Sequence, residues 1–558
     1  MGAHKRKAPG VNDGQRVPTA PGEALSRTDL LRRAAVAGAA VASTSAWAPA
    51  ALAAPRRITA SSPKTLVVGT DAVGIDFVPA HSFQGWGHTT ALIHMLEGLY
   101  TYPDWDIGRK VVPVLARDFP RRDARNKRKF AVDLKKGVRF HDGTPLDAES
   151  VVFNYMRYLD KNHPFYDPAA VFTGGNILFG IAKVEALDSD TVVFTTNRPL
   201  GDFKAQLVSP LGGGLLSVVG IRQAGVPNAG VAPQGTGPFR LVEARKGDQI
   251  VLERFEGYHG PRPGVDRIVL RAIPDPAALT AAILSGDVHL SWQVSLDDVP
   301  RFQRDNQLTT SSKTSLSAGY VALNAGGSKG VKTFLDQRLR IAALTALNKQ
   351  KLIQTVLGGR AKVGAGLVAP ALWGYQPQLI DFHKYNPSKA RTLLSQVGDV
   401  PAVTLSVPSN AHWPRAAESV QADWEAVGIK TTIKVIDSAA FGATMSQGAH
   451  DAFMWDATPG QLESWSLYRV LFGCSNPFRF RVGGWCDQEF DRALLAAVAT
   501  NDRKKAKGLI ALLDRKLLEA GAWQANYYPD IVSVWRKNVS GFNPPVLRFA
   551  SLNRVTVK

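Results

Sequence analysis

Residues 417–437 place a helix and a strand side by side in a pattern typical of layered α/β folds. The segment AESVQADWEAVGIKTTIKVID combines an amphipathic helix, a glycine stop and a strand. This succession is half of a doubly wound layer, in which helices pack on a sheet. HDAFMWDA, residues 450–457, adds another buried strand. The middle of the chain is therefore predicted to be α/β.

The length of the chain predicts more than one lobe. The protein has 558 residues, whereas a single domain usually has roughly 100–200. An apolar content of 45% and a charged content of 20% are those of a folded globular protein. We expect two or more lobes.

β-rich segments flank the α/β region. Between Val111 and Phe194 strand patterns dominate around one helix, which Asp147 is placed to cap. Residues 235–275 predict a run of antiparallel strands. The GTG tripeptide at their start is not a phosphate-binding loop, because a strand and not a helix follows it.

Three further elements have clear patterns. Residues 339–359 predict one amphipathic helix that ends at Gly358-Gly359. Residues 488–522 predict a helical hairpin, and residues 525–536 predict a strand.

His141 and Asp142 stand side by side, as a catalytic dyad or half of a metal site would. Phe140 ends a strand-like run, Asp142-Gly143 is a turn dipeptide, and Pro145 fixes the entry into the next helix. His141 has no partner of the HExxH type and no second ligand at metal spacing. We interpret the pair as parts of a turn.

Residues 1–54 have the composition of an export signal rather than of a membrane anchor. A long basic region precedes the apolar core Ala34–Ala46, which is too short to span a bilayer about 20 residues deep. Ala51-Leu52-Ala53 supplies the small residues that a signal peptidase needs. We expect the mature chain to begin near Ala54, outside the cytoplasm.

The basic region resembles a degenerate twin-arginine signal. Thr28 stands where the second arginine belongs, so either Arg32-Arg33 serves instead or the general export route is used. No cysteine follows the apolar core, and we therefore expect no lipid anchor. The mature protein is expected to be soluble in the periplasm or another extracytoplasmic space.

Cys474 and Cys486 are the only cysteines. In an oxidising compartment they indicate one local disulfide that closes a loop, with a stabilisation of roughly 3 kcal/mol from loop entropy. Two thiols alone make a poor metal site. We expect neither a metal nor a cofactor.

The chain is strongly basic, with a net charge of +20. Residues 1–54 carry seven Lys and Arg and three Asp and Glu, so about +16 remains without them. That excess is typical of a polyanion or nucleic-acid binder. However, the densest basic run, Arg121–Lys129, lacks interleaved aromatic residues and lies between two strand-like segments. We interpret it as a solvated hairpin turn and expect no nucleic-acid partner.

Eight segments, taken in order, match one known family. They are KKGVRFHDGTPLDAESVVF (135–153), GTGPFRLVEARKGDQIVLERFEGYHGPRPGVDRIVLRAIPD (235–275), ALTAAILSGDVHLSW (278–292), DQRLRIAALTALNKQKLIQTVLGG (336–359), YNPSKARTLLSQVG (385–398), WEAVGIKTTI (424–433), LFGC (471–474) and WCDQEFDRALLAAV (485–498). The set resembles the extracytoplasmic solute-binding proteins of ABC importers, in the dipeptide, oligopeptide and nickel class. The resemblance covers essentially all of residues 64–535.

The resemblance implies an α/β, periplasmic-binding-protein-like fold with two lobes joined by two crossover segments. Lobe I would comprise residues 55–317 and 531–558, with an extra β-rich subdomain near residues 101–199. Lobe II would comprise residues 318–530. Both cysteines would then fall in lobe II, where similar proteins carry a disulfide.

The same resemblance implies a mechanism of closure. The lobes would rotate about crossovers near Ala318–Asn324 and Ala525–Asp530, and a ligand touching both lobes would favour the closed state. The expected partners are a small-molecule or peptide ligand and a membrane complex of ABC permease and ATPase. We expect a monomer that makes and breaks no bond.

The family's peptide anchors are altered here. In peptide-binding members an aromatic residue on the strand resembling HDAFMWDATPG is followed, three positions on, by an Asp that receives the peptide's ammonium group. Trp455 matches the aromatic residue, but Thr458 stands at the acidic position. Asp456 would replace it only if the strand bulges, because on a regular strand it points to the other face. Met445 lies near the place where a basic residue often handles the peptide's carboxylate.

Four other residues are candidates for ligand contact. Trp413 and Tyr320 offer flat faces with few rotors, although both equally suit the core. Asp71 and Val73 lie in a stretch resembling one that often lays its backbone against the ligand, but Asp71 also suits a turn cap. With both charged anchors weakened, a neutral, amphipathic or differently charged solute is an alternative to a peptide: an opine-like acid, a modified sugar or a chelated metal.

The rival class is a secreted hydrolase. It would use His141 with Asp142, or Asp71 with Asp76, as its reactive groups. HExxH and CxxC motifs are absent, and no nucleophile is paired with a base in the sequence pattern. Nickel transport has little support, because no histidine cluster falls at the expected cleft positions.

Overall fold

The computed structural model describes the chain in segments. They are residues 63–78, 85–105, 110–168, 178–208, 213–409, 412–459, 462–476, 479 and 482–558. The predicted export signal, residues 1–54, lies outside them.

The strands are numbered in chain order. They are β1 Thr65–Thr70, β2 Tyr100–Thr101, β3 Val112–Pro113, β4 Arg121–Arg122, β5 Lys129–Asp133, β6 Ile181–Ala186, β7 Thr191–Thr196, β8 Phe239–Arg245, β9 Gln249–Arg254, β10 Arg267–Ala272, β11 Leu290–Ser291, β12 Leu308–Thr314, β13 Ala318–Leu323, β14 Ala361–Val363, β15 Val403–Pro408, β16 Thr431–Ile436, β17 Ala452–Ala457, β18 Trp523–Arg536, β19 Val539–Ser540 and β20 Thr556–Val557.

The helices are numbered in the same way. They are α1 Trp86–Met95, α2 Ala148–Leu159, α3 Phe203–Gln206, α4 Val218–Ala224, α5 Pro276–Ser285, α6 Val299–Arg304, α7 Gln337–Thr345, α8 Lys349–Leu357, α9 Pro387–Val397, α10 Trp413–Glu425, α11 Ser438–Ser446, α12 Ser466–Phe472, α13 Gln488–Ala499 and α14 Arg503–Ala520. Within the described segments, none of these helices combines the length and the apolar character needed to cross a bilayer.

A mixed sheet of twelve strands forms the frame of the fold. Its order is β16-β15-β17-β13-β18-β11-β1-β10-β9-β8, and β12 and β14 also pair with β18. β15 runs parallel to β16, and α10 makes the connection between them. The α/β prediction for residues 417–437 is therefore confirmed. β8, β9 and β10 pair antiparallel, as predicted for residues 235–275.

β18 is 14 residues long and changes its partners part-way. As far as Pro529 it pairs with β13 and β14, and from Asp530 onward it pairs with β12 and β11. The short link Ser315–Ser317 between β12 and β13 runs beside this point, where the Ser315 N–H donates to the Pro529 carbonyl oxygen at 2.8 Å. Two adjacent chain segments therefore connect the two halves of the sheet.

A second, four-stranded antiparallel sheet has the order β4-β5-β7-β6. The basic run Arg121–Lys129 is its first hairpin, since β4 pairs antiparallel with β5, and that prediction is confirmed. The predicted cap of α2 is confirmed as well, because the Asp147 carboxylate accepts the Ser150 N–H at 2.8 Å.

The prediction of one helix over residues 339–359 is wrong. The structure forms α7 and α8 with a break between them. The break centres on Asn348, whose side-chain oxygen accepts the Lys351 N–H at 2.9 Å, while its own N–H donates to Asp423 at 2.7 Å. A side chain that hydrogen-bonds the backbone in this way starts a new helix instead of continuing the old one.

Separate apolar clusters fill the two ends of the large sheet. Near β15 and β17 the core is built around Trp424, which is fully buried and whose indole N–H donates to the Ala343 carbonyl oxygen at 2.8 Å. At the other end Leu66, Phe239 and Ile268 lie in the cluster that α1 covers.

The predicted disulfide is confirmed, because Cys474 and Cys486 are joined. The bond closes the segment between α12 and α13. The Cys474 N–H also donates to the Asp491 carboxylate on α13 at 3.0 Å.

We expect the double variant Cys474→Ser/Cys486→Ser to lower the free energy of unfolding by about 3 kcal/mol, because the unfolded chain loses a short closed loop. Urea titration of oxidised wild type and variant measures the difference. Reductant should bring the wild type to the variant's midpoint and leave the variant unchanged. Equal midpoints for the oxidised proteins would show that the bond adds no stability.

Asp514 on α14 is a carboxyl group inside the protein, only 1% exposed. Its Oδ1 accepts the Leu367 N–H at 2.8 Å, and Gly366 lies so close that an added Cβ would be 2.5 Å from its carboxyl carbon. Burial raises the pKa of Asp514 to about 6, against the opposing effect of the hydrogen bond from the Leu367 N–H. The charged form is therefore disfavoured in the folded state.

Between about pH 4 and pH 6 the folded protein holds a proton that the unfolded chain has released, so the free energy of unfolding falls as pH rises. Asp514→Asn removes this titration and should stabilise the protein at pH 7 by up to about 3 kcal/mol. Urea titrations at several pH values measure the slope. Asp399→Asn, at an exposed site, should keep the wild-type slope; parallel curves for wild type and Asp514→Asn would refute the expectation.

Candidate ligand-binding cleft

An ion pair joins the two predicted lobes beside the crossover. Arg548, near the C-terminus, lies with its Nη2 2.5 Å from Oδ2 of Asp456 on β17. Four other polar residues surround this pair. We call these six residues the charged cluster: Asp71, Gln293, His412, Asp456, Tyr527 and Arg548.

The register of β17 determines where Asp456 points. β17 pairs with β13 over their whole length without a register shift, so Trp455 and Asp456 face opposite sides of the sheet. The Trp455 ring lies 5.2 Å from that of Phe441, whereas the Asp456 carboxylate reaches Arg548. The predicted alternative of a bulge is wrong, and Asp456 meets Arg548 on the face of the sheet opposite Trp455.

The backbone of Arg548 is held on both sides. Its carbonyl oxygen accepts the Trp292 indole N–H at 2.7 Å. The neighbouring Phe549 is buried, with its ring 5.2 Å from that of Trp105 and 6.3 Å from that of Trp86. These contacts fix the backbone, and the ion pair with Asp456 positions the guanidinium group.

Gln293 and Asp71, both in predicted lobe I, are hydrogen-bonded to each other. The Gln293 side-chain oxygen accepts the Asp71 N–H at 2.5 Å and the Thr70 hydroxyl at 3.2 Å. The Asp71 carboxylate accepts the Ala72 N–H at 2.7 Å. Burial raises the pKa of Asp71, although hydrogen bonds from the Ala72 N–H and the Thr70 hydroxyl and the charge of Arg548 act in the opposite direction.

His412 and Tyr527, both in predicted lobe II, share a hydrogen bond of 2.8 Å. Burial lowers the pKa of His412 to about 3, and the charges of Arg548 and Arg415 act in the same direction. The imidazole is therefore neutral at physiological pH. Glycine is required at position 319, because a Cβ added to Gly319 would come within 2.3 Å of the Tyr527 ring.

The structure brings only two of the predicted site residues, Asp71 and Asp456, into the charged cluster. Trp413 touches its edge, with its ring 4.6 Å from that of His412, and is otherwise buried in the apolar cluster around Trp424. Thr458 lies at the crossover, where its hydroxyl is 2.6 Å from that of Ser317.

The remaining predicted site residues lie in apolar surroundings, and all but Trp455 are buried. Tyr320 is 1% exposed and packs between Phe453 and Trp523. Met445 and Val73 are likewise buried in hydrophobic clusters. Trp455 is half-buried and packs on α11, next to Gly442.

Gln293, His412, Tyr527 and Arg548 were not predicted from the sequence. Each is an ordinary residue in an ordinary strand or loop, and no spacing motif joins them. The one available signal was Arg548 itself, a charged residue inside the otherwise apolar run PPVLRFA.

A second polar region lies where α14 meets the loop after β17. Glu463 is buried, and its carboxylate pairs with both Nη atoms of Arg503, at 2.9 and 3.1 Å. The Arg503 guanidinium lies over the Trp373 ring at 4.3 Å. Burial raises the pKa of Glu463, and Arg503 opposes that shift. A small cavity, lined also by Asp202 and Trp465, opens beside this pair.

The structural interpretation of His141 and Asp142 is confirmed. His141 is buried; its Nε2 lies 2.9 Å from the Gly237 carbonyl oxygen and its Nδ1 accepts the Gly235 N–H at 3.3 Å. The Asp142 carboxylate accepts the Thr144 N–H at 3.0 Å. The two side chains hold loops together.

GGSKG, residues 326–330, has the G-x-S-x-G spacing of hydrolase nucleophiles. Ser328 lies in a 3-10 turn after β13 instead of a strand-to-helix elbow, and it is buried. Its N–H donates to Asn324 at 2.9 Å. The match therefore presents no exposed nucleophile. Among the residues that the structure describes, no group of His, Cys, Asp and Glu is arranged to hold a metal ion.

Comparison with known proteins identifies the family. The model of bacterial extracellular solute-binding proteins, family 5 (middle part), matches residues 110–478. The chain belongs to this family. It is 26% identical over 464 residues to the dipeptide-binding protein of Escherichia coli K12, an alignment that covers 79% of this chain and 85% of that protein.

Solved structures confirm the two-lobed periplasmic-binding-protein fold. A periplasmic binding protein of Helicobacter pylori, in complex with the peptide STSA, superposes with a TM-score of 0.81 at 23% identity and covers 88% of this chain and 98% of its own. A binding protein from A. tumefaciens R10, in complex with agropinic acid, gives 0.77 at 21% identity and covers 88% and 99%.

Family membership establishes the general role. The chain is the extracellular solute-binding component of an ABC importer and works with permease and ATPase subunits. The family is one of binding proteins and not of enzymes.

We expect His141→Ala to lower the free energy of unfolding by about 2 kcal/mol, because it leaves buried backbone groups of residues 235–237 without partners. Thermal unfolding measures the loss. Lys136→Ala, which removes an exposed ion pair with Asp190, should change little. A stable His141→Ala protein that fails to bind its solute would contradict the structural role.

Proposed function

We propose that this protein captures a peptide or peptide-like solute between its lobes and delivers it unaltered to the permease. The observation that carries the proposal is the charged cluster, in which Arg548 from one predicted lobe and Asp456 from the other meet at 2.5 Å. Side chains that meet across a hinge are suited to couple ligand contact to closure.

The lobe boundaries remain those proposed above: residues 55–317 with 531–558, and 318–530. The change of partners along β18 between Pro529 and Asp530 supports these boundaries. The short link Ser315–Ser317, which runs beside this point, supports them as well. Rotation of a few backbone angles at these two segments would move one half of the sheet relative to the other.

An opine-like or other acidic non-peptide solute is the second candidate. The observation that favours it is the state of the peptide anchors: Thr458 bonds Ser317, and Met445 is buried. Neither residue offers a charge to a peptide terminus. The guanidinium group of Arg548, in contrast, suits a carboxylate.

The finer features of the proposal follow the sequence analysis. The signal within residues 1–54 would be cleaved, and the mature protein would be a soluble monomer without a lipid anchor, bound metal or cofactor. The protein would bind no nucleic acid and catalyse no reaction. His141, Asp142 and Ser328 have structural partners, which supports the absence of a hydrolytic site.

We expect the solute to compact and stabilise the purified protein, because a ligand that binds only the closed folded form shifts both equilibria. Small-angle scattering measures compaction, and thermal unfolding in the presence of dipeptides, tripeptides and opine-like acids measures stabilisation. Native mass spectrometry of protein purified without denaturation gives the mass of any retained solute.

The competing functions give different results in the same preparation. Turnover of peptide or ester substrates would support the hydrolase. DNA affinity that falls steeply with salt would support the polyanion binder. Absence of compaction with every solute and of any copurified ligand would refute solute capture.

A further inference from the structure

The charged cluster contains two buried N–H donors that lack an acceptor. Nε of Arg548 and Nε2 of Gln293 are both inaccessible to solvent and have no hydrogen-bond partner among the residues that the structure describes. Buried polar groups in native proteins are almost always paired. Two donors without partners at the junction of the predicted lobes therefore suit a ligand that supplies the acceptor.

The orientation of Gln293 is fixed by its other contacts. Its side-chain oxygen already accepts the Asp71 N–H at 2.5 Å and the Thr70 hydroxyl at 3.2 Å. The amide nitrogen must therefore point away from these donors. Trp292, the adjacent residue, donates to the Arg548 carbonyl oxygen at 2.7 Å. The charge of Arg548 also acts on Asp71, the residue whose N–H Gln293 accepts.

The acidic members of the cluster are supplied with donors. The Asp71 carboxylate accepts the Ala72 N–H at 2.7 Å, and Asp456 receives Arg548 at 2.5 Å. The buried groups of the cluster that lack a hydrogen-bond partner are thus both donors. This favours an acceptor group on the ligand, a carboxylate, over an ammonium group.

We propose that Arg548 and Gln293 form an anchor for a carboxylate of the solute, and that Asp456 occupies this anchor in the ligand-free closed protein. The inference rests on the proposed function. A guanidinium group has five N–H donors in a planar fork that matches a carboxylate. A solute carboxylate replaces Asp456 at Arg548 and takes the N–H groups that Asp456 leaves unused.

The two members of the ion pair then have opposite effects on affinity. Arg548→Gln removes the anchor and weakens carboxylate binding roughly 10- to 100-fold, the usual range for hydrogen bonds to charged groups. Asp456→Asn removes the internal competitor and the repulsion that it would exert on the ligand, so carboxylate binding becomes tighter. A purely structural ion pair would give a loss in both variants.

A matched control is present in the chain. Arg415 pairs with Asp297 of the other predicted lobe at 3.1 Å, and both side chains are largely exposed. Arg415→Gln removes the same charge and one contact between the same lobes, outside the charged cluster. The affinities of Arg415→Gln for acid and amide solutes should equal those of the wild type.

The experiment uses isothermal titration of the full mature chain with dipeptides, tripeptides and amino-acid-derived dicarboxylates, each beside the corresponding carboxamide. We expect the wild type to prefer the acid over its amide by roughly 10-fold or more, Arg548→Gln to lose this preference, and Asp456→Asn to strengthen it. Thermal unfolding verifies that each variant is folded.

Three results would overturn the anchor: equal affinity of the wild type for acid and amide, retention of the preference in Arg548→Gln, or failure of every acid to bind. The last result leaves solute capture itself to be judged by compaction in scattering and by the mass of the copurified ligand. A failed anchor and a failed binding function are thus distinguished.

Discussion

The architecture depends on the backbone pairing of one strand. β18 bonds to β13 and β14 as far as Pro529 and to β12 and β11 beyond it, so a single strand belongs to both halves of the sheet. Because β12 and β13 are consecutive strands, the chain passes between the two halves of the sheet twice. One passage lies between β12 and β13, the other lies within β18, and the two points are adjacent. Backbone hydrogen bonds between neighbouring strands resist stretching but tolerate twist, so the proposed rotation of the lobes would be centred at these two points.

The charged cluster comes together beside the same two points. β17 ends beside the crossover, and the C-terminal segment returns there with Arg548, whose neighbour Phe549 is packed between two tryptophan rings. An ion pair with its partners 27% and 11% exposed is held mainly by geometry, since desolvation offsets much of the attraction. In the proposed capture site, a ligand carboxylate takes the place of Asp456 at Arg548.

Much of the fold was predictable because it rests on local patterns. The helix, glycine and strand of residues 417–437, the antiparallel run of residues 235–275 and the cap at Asp147 all use rules that act within a few residues. The prediction of one helix over residues 339–359 was wrong for a local reason as well. The Asn348 side chain accepts a backbone N–H and starts a new helix. The candidate site was predicted less well, because Arg548 is distant in sequence from Asp456 and shares no motif with it.

The sequence by itself determined the family, the α/β succession, the disulfide and the replacement of the acidic peptide anchor by Thr458. These depend on residue identity, spacing and order, which the chain carries in one dimension. Only the tertiary structure decided that Asp456 points away from Trp455 and meets Arg548. The face on which a strand residue lies depends on register, and its partner depends on which distant segment packs there; neither property is present until the strands have paired.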